Sequence, residues 1–202
     1  MLELTEHLEK YICEKSAPIL TKWIIDTKCQ FIISKSRLTK LGDYRAPFHG
    51  QPHRITVNHN LNKYAFLLTS IHEFAHLKTY NEYKNKIAPH GPEWKKNFQL
   101  LMHPFLTTDF FPKDLLVLLK KHMKNPKASS NSDVELHRAF KKYDPQKYGF
   151  TTVEKIAEGK HFALPNGRVF MKKEKLRKRF KCTEIKTQRT YLFQPLAEVK
   201  KI

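Results

Sequence analysis

Apolar residues at Leu4, Leu8, Tyr11, Ile12, Ile19, Leu20 and Trp23 recur at helical spacing, which predicts one or two amphipathic helices over residues 3–24, interrupted near Pro18. Shorter β-type runs follow. Phe31-Ile32-Ile33-Ser34 reads as a strand. Leu41–Arg45 and His53–Asn58 read as two more, joined by a Pro/Gly/His turn from Pro47 to Pro52. Residues 62–84 carry the broadest stripe. Tyr64, Leu67, Leu68, Ile71, Phe74, Ala75 and Leu77 predict one long helix. Gly91-Pro92-Glu93-Trp94 has the form of a helix start, with Pro at the first helical position and an acid in the first turn. That helix is expected to run to about Met102, and Pro112 opens another over Lys113 to Met123.

Residues 124–133 are polar, Ser-rich and without periodicity, which predicts a linker. Asp133 can cap a short helix over Val134–Tyr143. Beyond Gly149 the pattern turns to short strands at His161–Leu164, Arg168–Phe170 and Thr190–Phe193, with a Pro-Asn-Gly turn at 165–167. The expectation is an α+β protein. Residues 1–123 would form helices packed on a small antiparallel or mixed sheet, 124–133 the linker, and 134–202 a short helix plus a basic, β-rich region.

Composition changes this picture in one respect. The chain has 202 residues with 38 Lys+Arg against 19 Asp+Glu, a formal charge of +19. That is more than solubility requires and predicts attraction to polyanions, nucleic acid first. Residues 160–202 hold 13 Lys+Arg and 3 Asp+Glu, over half of the whole excess. Within them Lys172, Lys173, Lys175, Arg177, Lys178, Arg179 and Lys181 form a dense run, with Phe162, Phe170, Phe180, Tyr191 and Phe193 nearby. Phosphate contacts from the cations and base stacking on the aromatics would suit single-stranded DNA. The plainer alternative makes the aromatics the core of a small β unit and the charges its outer face.

Three cysteines, Cys13, Cys29 and Cys182, form no C-x-x-C pair and fit a reducing compartment rather than a disulfide framework. The acidic, amphipathic N-terminus lacks the pattern of a secretory signal, and no run approaches the length of a membrane span. The expected setting is the cytoplasm, at the nucleoid if DNA is bound, with no membrane partner.

The candidate chemistry lies in the long helix. His72-Glu73-Phe74-Ala75-His76 puts two imidazoles one turn apart on one face, where both can reach one zinc ion. Glu73 between them can address a water at the metal's open position. Two histidines on an otherwise apolar face are expensive to bury unless something satisfies them, and a metal does so. A catalytic zinc takes a third protein ligand. His103 lies far along the next helix, Glu82 is about a turn and a half past His76 on the same helix, and Glu93 would suit a glutamate-ligand site. His90, at a loop-to-helix junction before Gly91, is the best candidate, because Gly91 lets the backbone turn close to the metal.

His72-Glu73-Phe74-Ala75-His76, thirteen intervening residues, and then His90-Gly91-Pro92-Glu93-Trp94 resemble the SprT-like (Spartan/SprT-type) zinc metalloprotease family, in which H-E-x-x-H is followed by a third His in an H-G-x-x-aromatic box. Leu41–Arg45 and His53–Asn58 resemble the strand pair that precedes that family's active-site helix. The likeness covers roughly residues 5–120. It implies a zincin-like domain, one catalytic Zn²⁺ on His72, His76 and His90, Glu73 as the base, and action on DNA-associated or DNA-crosslinked proteins. The departure is in the tail. Many members carry a zinc ribbon with paired cysteines there, whereas Cys182 stands alone, so a second zinc is not expected.

Tyr44, Tyr80, Tyr83 and Arg54 are the candidates for stabilising the oxyanion of peptide hydrolysis. His53–Asn58 could pair as a sheet edge with an extended peptide. His49, His53 and His59 are expected to be solvated rather than ligating. The readings to separate are a zinc protease acting near DNA, a basic nucleic-acid-binding protein with a non-proteolytic zinc site, and a zinc hydrolase of another substrate class.

Overall fold

The computed structural model describes residues 1–37, 39–128, 133–145 and 148–202. These form two compact units, Met1–Asp144 and Pro145–Ile202, each with its own apolar core. The chain is α+β, as the periodicities predict, with six α-helices and two sheets among the described residues.

In the first unit, α1 (Leu2–Glu9) and α2 (Ala17–Thr27) pack on each other. Pro18 lies in the first turn of α2, where its missing N–H costs no bond, so it starts a helix rather than interrupting one. Strands β1 (Gln30–Ser34), β2 (Gly42–Arg45) and β3 (Arg54–Asn58) follow. The sheet is mixed, in the order β1-β3-β2, with β1 parallel and β2 antiparallel to β3. The strand expected to serve as a free edge, His53–Asn58, is therefore the central one, hydrogen-bonded on both sides. The edge is β2.

Helix α3 (Lys63–Tyr83) runs beneath this sheet and is buried on nearly all sides, from Phe66 through Thr79. Its N-cap is Asn62, whose Oδ1 accepts from the N–H groups of Tyr64 and Ala65 at 3.2 and 3.0 Å. Phe66, Leu67, Leu68, Ile71, Phe74 and Leu77 are at most 3% exposed, each contributing about 1.5–3 kcal/mol by burial. Helix α4 (Pro92–Met102) packs along α3, and α5 (Lys113–Met123) and α6 (Val134–Lys141) pack on each other.

The expected linker over 124–133 falls partly outside the described residues, which omit 129–132. The compact units divide later, between Asp144 and Pro145. Helix α6 belongs to the first unit because Asn62 Nδ2 donates to the Phe140 carbonyl at 3.0 Å and to Asp144 at 2.6 Å.

The second unit is a six-stranded antiparallel sheet in the order β4-β9-β5-β6-β7-β8. Its strands are β4 (Phe150–Thr152), β5 (His161–Ala163), β6 (Val169–Lys175), β7 (Phe180–Glu184), β8 (Thr190–Phe193) and β9 (Glu198–Lys201). Val153, Ile156, Phe162, Phe170, Phe180, Cys182 and Val199 form its core. Among the described residues, no helix is long and apolar enough to cross a membrane.

Candidate metal centre

His72 and His76 lie one turn apart on α3, and His90 reaches them from the turn before α4. Their Nε2 atoms converge, at 3.2 Å for His72–His76, 3.0 Å for His76–His90 and 3.3 Å for His72–His90. Three nitrogens about 2.0–2.1 Å from one tetrahedral zinc would be about 3.4 Å apart. The donor set therefore fits a small cation with tetrahedral preference. No other group of three metal-binding side chains occurs among the described residues.

Burial holds all three imidazoles neutral, with lone pairs free. It takes His72 well below the ordinary histidine value, His76 down to about 3 with His90 adding to the effect, and His90 below its ordinary value. The loop does its part through His90 itself, which sits in the left-handed region at φ 59°. That conformation is uncommon outside glycine, though histidine is among the residues enriched in it. Gly91, expected to supply the turn, is extended instead, at φ −67° and ψ −176°. It is needed for space, because a Cβ there would lie 3.0 Å from the Ala88 carbonyl oxygen.

Trp94 forms the floor. It is buried, with ring centroids 4.7, 5.2 and 4.6 Å from His72, His76 and His90, and its ring is tilted by 34° against that of Phe98, 5.0 Å away. The other proposed ligands lie elsewhere. Glu82 is tied to Lys78 and to Asn97 Nδ2, each at 2.6 Å. Glu93 turns back toward Gly91, and His103 is exposed at the end of α4. His53 bonds the Tyr44 hydroxyl through Nδ1 at 2.8 Å, while His49 and His59 are exposed.

Glu73 points into the same cleft, a cavity of about 480 Å³ bordered by β2, α3, the His90 turn and the end of α5. It is 6% exposed and, among the described residues, has no ion pair. Burial, with Asp43 nearby, pushes its carboxyl up to about 8. Arg37, Lys40 and the backbone N–H of Tyr44 act in the opposite sense. Strand β2 passes directly over it. A Cβ on Gly42 would stand 2.5 Å from Glu73 Oε1 and 2.7 Å from Thr69 Cγ2. Gly42 thus sets the approach of the edge strand to the carboxylate. The sequence marks Gly42 only as a strand residue, since nothing local signals a contact with a side chain 31 positions away.

Of the four oxyanion candidates, Tyr44 alone borders the cleft. Its ring lies parallel to that of His76 (7°, centroids 6.2 Å apart), and its hydroxyl is engaged by His53. Tyr80 packs against Tyr44 and His53, Tyr83 is exposed, and Arg54 lies on β3. A residue not anticipated for the site, His122 at the end of α5, also borders the cleft, and its Nδ1 is 3.0 Å from Asp133 Oδ2.

The basic run forms the β6–β7 hairpin of the second unit. Leu176 N–H closes the turn on the Arg179 carbonyl at 2.8 Å, leaving Arg177, Lys178 and Arg179 exposed at the tip. Lys173 and Lys175 precede the tip on β6, and Lys181 faces Glu174 at 3.2 Å. Lys172 departs from expectation. It is 5% exposed, its ammonium donates to the carbonyls of Glu154 and Ile156, and it lies 4.0 Å above the Phe180 ring. It alternates inward with Phe170, so it is a core cation and is unavailable to phosphate. The aromatics are core as well: Phe162, Phe170 and Phe180 are buried, and Tyr191 and Phe193 pack on Phe170.

Comparison of the chain with protein-family models, with curated proteins and with solved structures finds no match.

Proposed function

We propose that this protein is a zinc-dependent metallopeptidase of the SprT-like kind, with a zincin-like first unit, acting on proteins at or near DNA. The observation that carries the reading is the 3.0–3.3 Å convergence of the His72, His76 and His90 Nε2 atoms in a cleft that also holds the Glu73 carboxylate. A structural metal site has no use for a buried, unpaired carboxylate beside it, whereas a hydrolytic one does. Zinc held by three imidazoles supplies Lewis acidity, bringing water toward ionisation near neutral pH and polarising a carbonyl.

The chain's own groups do the rest. Glu73 takes the proton of the attacking water on a carboxylate oxygen and returns it to the departing amine. The Trp94 floor packs against all three imidazoles and limits their orientation. Edge strand β2 borders the cleft and suits an extended peptide, which can add to a sheet edge by main-chain bonding. The DNA link is supported by the net charge of +19 and by the exposed Arg177, Lys178 and Arg179 at the hairpin tip.

The test is cleavage of an unfolded protein substrate by the zinc-loaded full chain, with and without chelator and single-stranded DNA. Cleavage should vanish with chelator, return with zinc and rise with DNA. A chain that binds one zinc and cleaves nothing under any condition would overturn the peptidase reading in favour of a nucleic-acid-binding protein with a non-proteolytic zinc site.

A further inference from the structure

Asn58, the last residue of β3, is 1% exposed and takes no part in the chemistry above. Burying a carboxamide is costly unless its hydrogen bonds are made. Here they are made in full. Oδ1 accepts from Arg37 Nε at 2.8 Å and from the Ser34 hydroxyl at 3.3 Å. Nδ2 donates to the carbonyls of Lys40 at 2.8 Å and Arg37 at 3.2 Å. An amide oxygen offers two lone pairs and the nitrogen two protons, so the group is saturated. Turning it over would set its N–H groups against Arg37 Nε–H and its oxygen against two carbonyls, so the network fixes its sense.

The main chain of the same residue adds to this hold, because the Asn58 N–H donates to the Leu41 carbonyl at 2.9 Å. Asn58 therefore grips Arg37, Lys40 and Leu41, on the approach to β2. Thr39, Lys40, Leu41 and Gly42 border the cleft, and Gly42 lies against Glu73. The Leu41 bond also decides which way the edge strand faces. Along an antiparallel pair, alternate residues turn their main-chain groups to the partner. Leu41 turns to β3, and Gly42 stands opposite Val57 and Tyr44 opposite Ile55. Gly42 and Tyr44 thus turn their main-chain groups away from β3. The Tyr44 N–H, turned this way, bears on the Glu73 carboxylate.

We propose that Asn58 is the positioning residue of the substrate wall, holding the entry to β2 so that the main-chain groups of Gly42 and Tyr44 meet an extended peptide beside the metal. This rests on the peptidase reading. Asn58 acts through Lys40 and Leu41, not on the peptide itself. Its loss therefore weakens ligands that run along the wall and spares those that reach only the zinc.

The experiment titrates two zinc-directed hydroxamates into the zinc-loaded full chain. Acetohydroxamate engages the metal alone, and a peptidyl hydroxamate extends from it along β2. In the parent the extension should raise affinity. In Asn58→Ala acetohydroxamate should bind as in the parent, while the gain from the extension falls about tenfold, as expected for one or two lost main-chain hydrogen bonds. Ser34→Ala removes one bond to Oδ1 and leaves both wall carbonyls held, so it should keep the full gain. Equal gains in the parent and Asn58→Ala, a parent with no gain, or a matching fall in acetohydroxamate binding would overturn the proposal.

Should Asn58→Ala lose zinc, Asn58→Asp, which matches the side chain in size and keeps its accepting half, takes its place. Loss of zinc in both would make Asn58 a residue of the whole fold and overturn the proposal. Cleavage of the unfolded protein substrate is scored separately. A parent that cleaves while the gains are equal keeps the peptidase reading and loses this proposal. A parent that cleaves nothing, yet loses its gain in Asn58→Ala, keeps the wall and loses the peptidase reading.

Discussion

Each unit buries one glutamate, and the two are treated in opposite ways. Glu184, on β7, accepts from Arg168 Nε at 2.8 Å and from the Thr187 hydroxyl, while the Arg168 guanidinium also lies over the Phe170 and Tyr191 rings at 5.1 and 4.8 Å. The Arg168 and Thr187 hydrogen bonds hold its carboxyl at about 2. Glu73, on α3, has no such partner, and its carboxyl rises to about 8. A satisfied buried carboxylate secures a fold. A buried carboxylate without an ion pair, beside three converging imidazoles, is costly to the fold and is the feature on which the proposed hydrolytic reading draws.

The comparison would break first at Glu73. Glu73→Gln should keep one zinc per chain and lower kcat by at least about 10³-fold, a barrier of about 4 kcal/mol. Stability should be unchanged or raised, since a neutral amide replaces an unpaired buried acid. Parallel cleavage and thermal-unfolding measurements check both halves. Glu184→Gln should do the reverse, lowering the unfolding midpoint and leaving zinc content intact.

Next in size is the core under Glu184. Phe170 is fully buried against Phe162, Tyr191 and Phe193. Phe170→Ala should cost about 3–5 kcal/mol of stability, read by denaturant unfolding, with zinc stoichiometry unchanged. Loss of zinc in this variant would deny that the two units hold separate cores.

Gly42→Ala sharpens the comparison at the other carboxylate. Its Cβ would meet Glu73 Oε1 at 2.5 Å, so either β2 or the carboxylate must move. A fall in kcat of roughly 10–100-fold is expected, since small displacements of a catalytic group are costly. A Gly42→Ala protein with parent kcat would remove β2 from the account of Glu73.

The smallest effect is the acid limb. Glu184 has a folded value near 2 against an ordinary 4.5. Its contribution to stability is complete above about 4.5 and is lost as pH falls through about 2. The unfolding midpoints of parent and Glu184→Gln should therefore differ at neutral pH and converge below pH 2.

Where information was local, the sequence was legible. The helices over Lys63–Tyr83, Pro92–Met102 and Lys113–Met123 follow from apolar period and start signals, and the strand Thr190–Phe193 from its composition. Spacing on one helix brings His72 and His76 together, and His90 was recoverable from its junction. Strand β7 was hidden because a charge run overlay the alternation of Phe180, Cys182 and Glu184. Lys172 misled for the same reason: a buried lysine next to exposed ones carries no local mark. Gly42, His122 and the placement of α6 depend on partners far along the chain, Glu73, Asp133 and Asn62, and no local pattern encodes such pairings.

The central claim is that the three imidazoles form one zinc site. Metal-stripped protein titrated with zinc, with bound metal counted by elemental analysis and followed by the fluorescence of the adjacent Trp94, tests it directly. The account predicts one zinc per chain in the parent, a fluorescence change that saturates at that ratio, and loss of both in His90→Ala. A parent that binds no zinc, or a His90→Ala protein that binds it as the parent does, would contradict it.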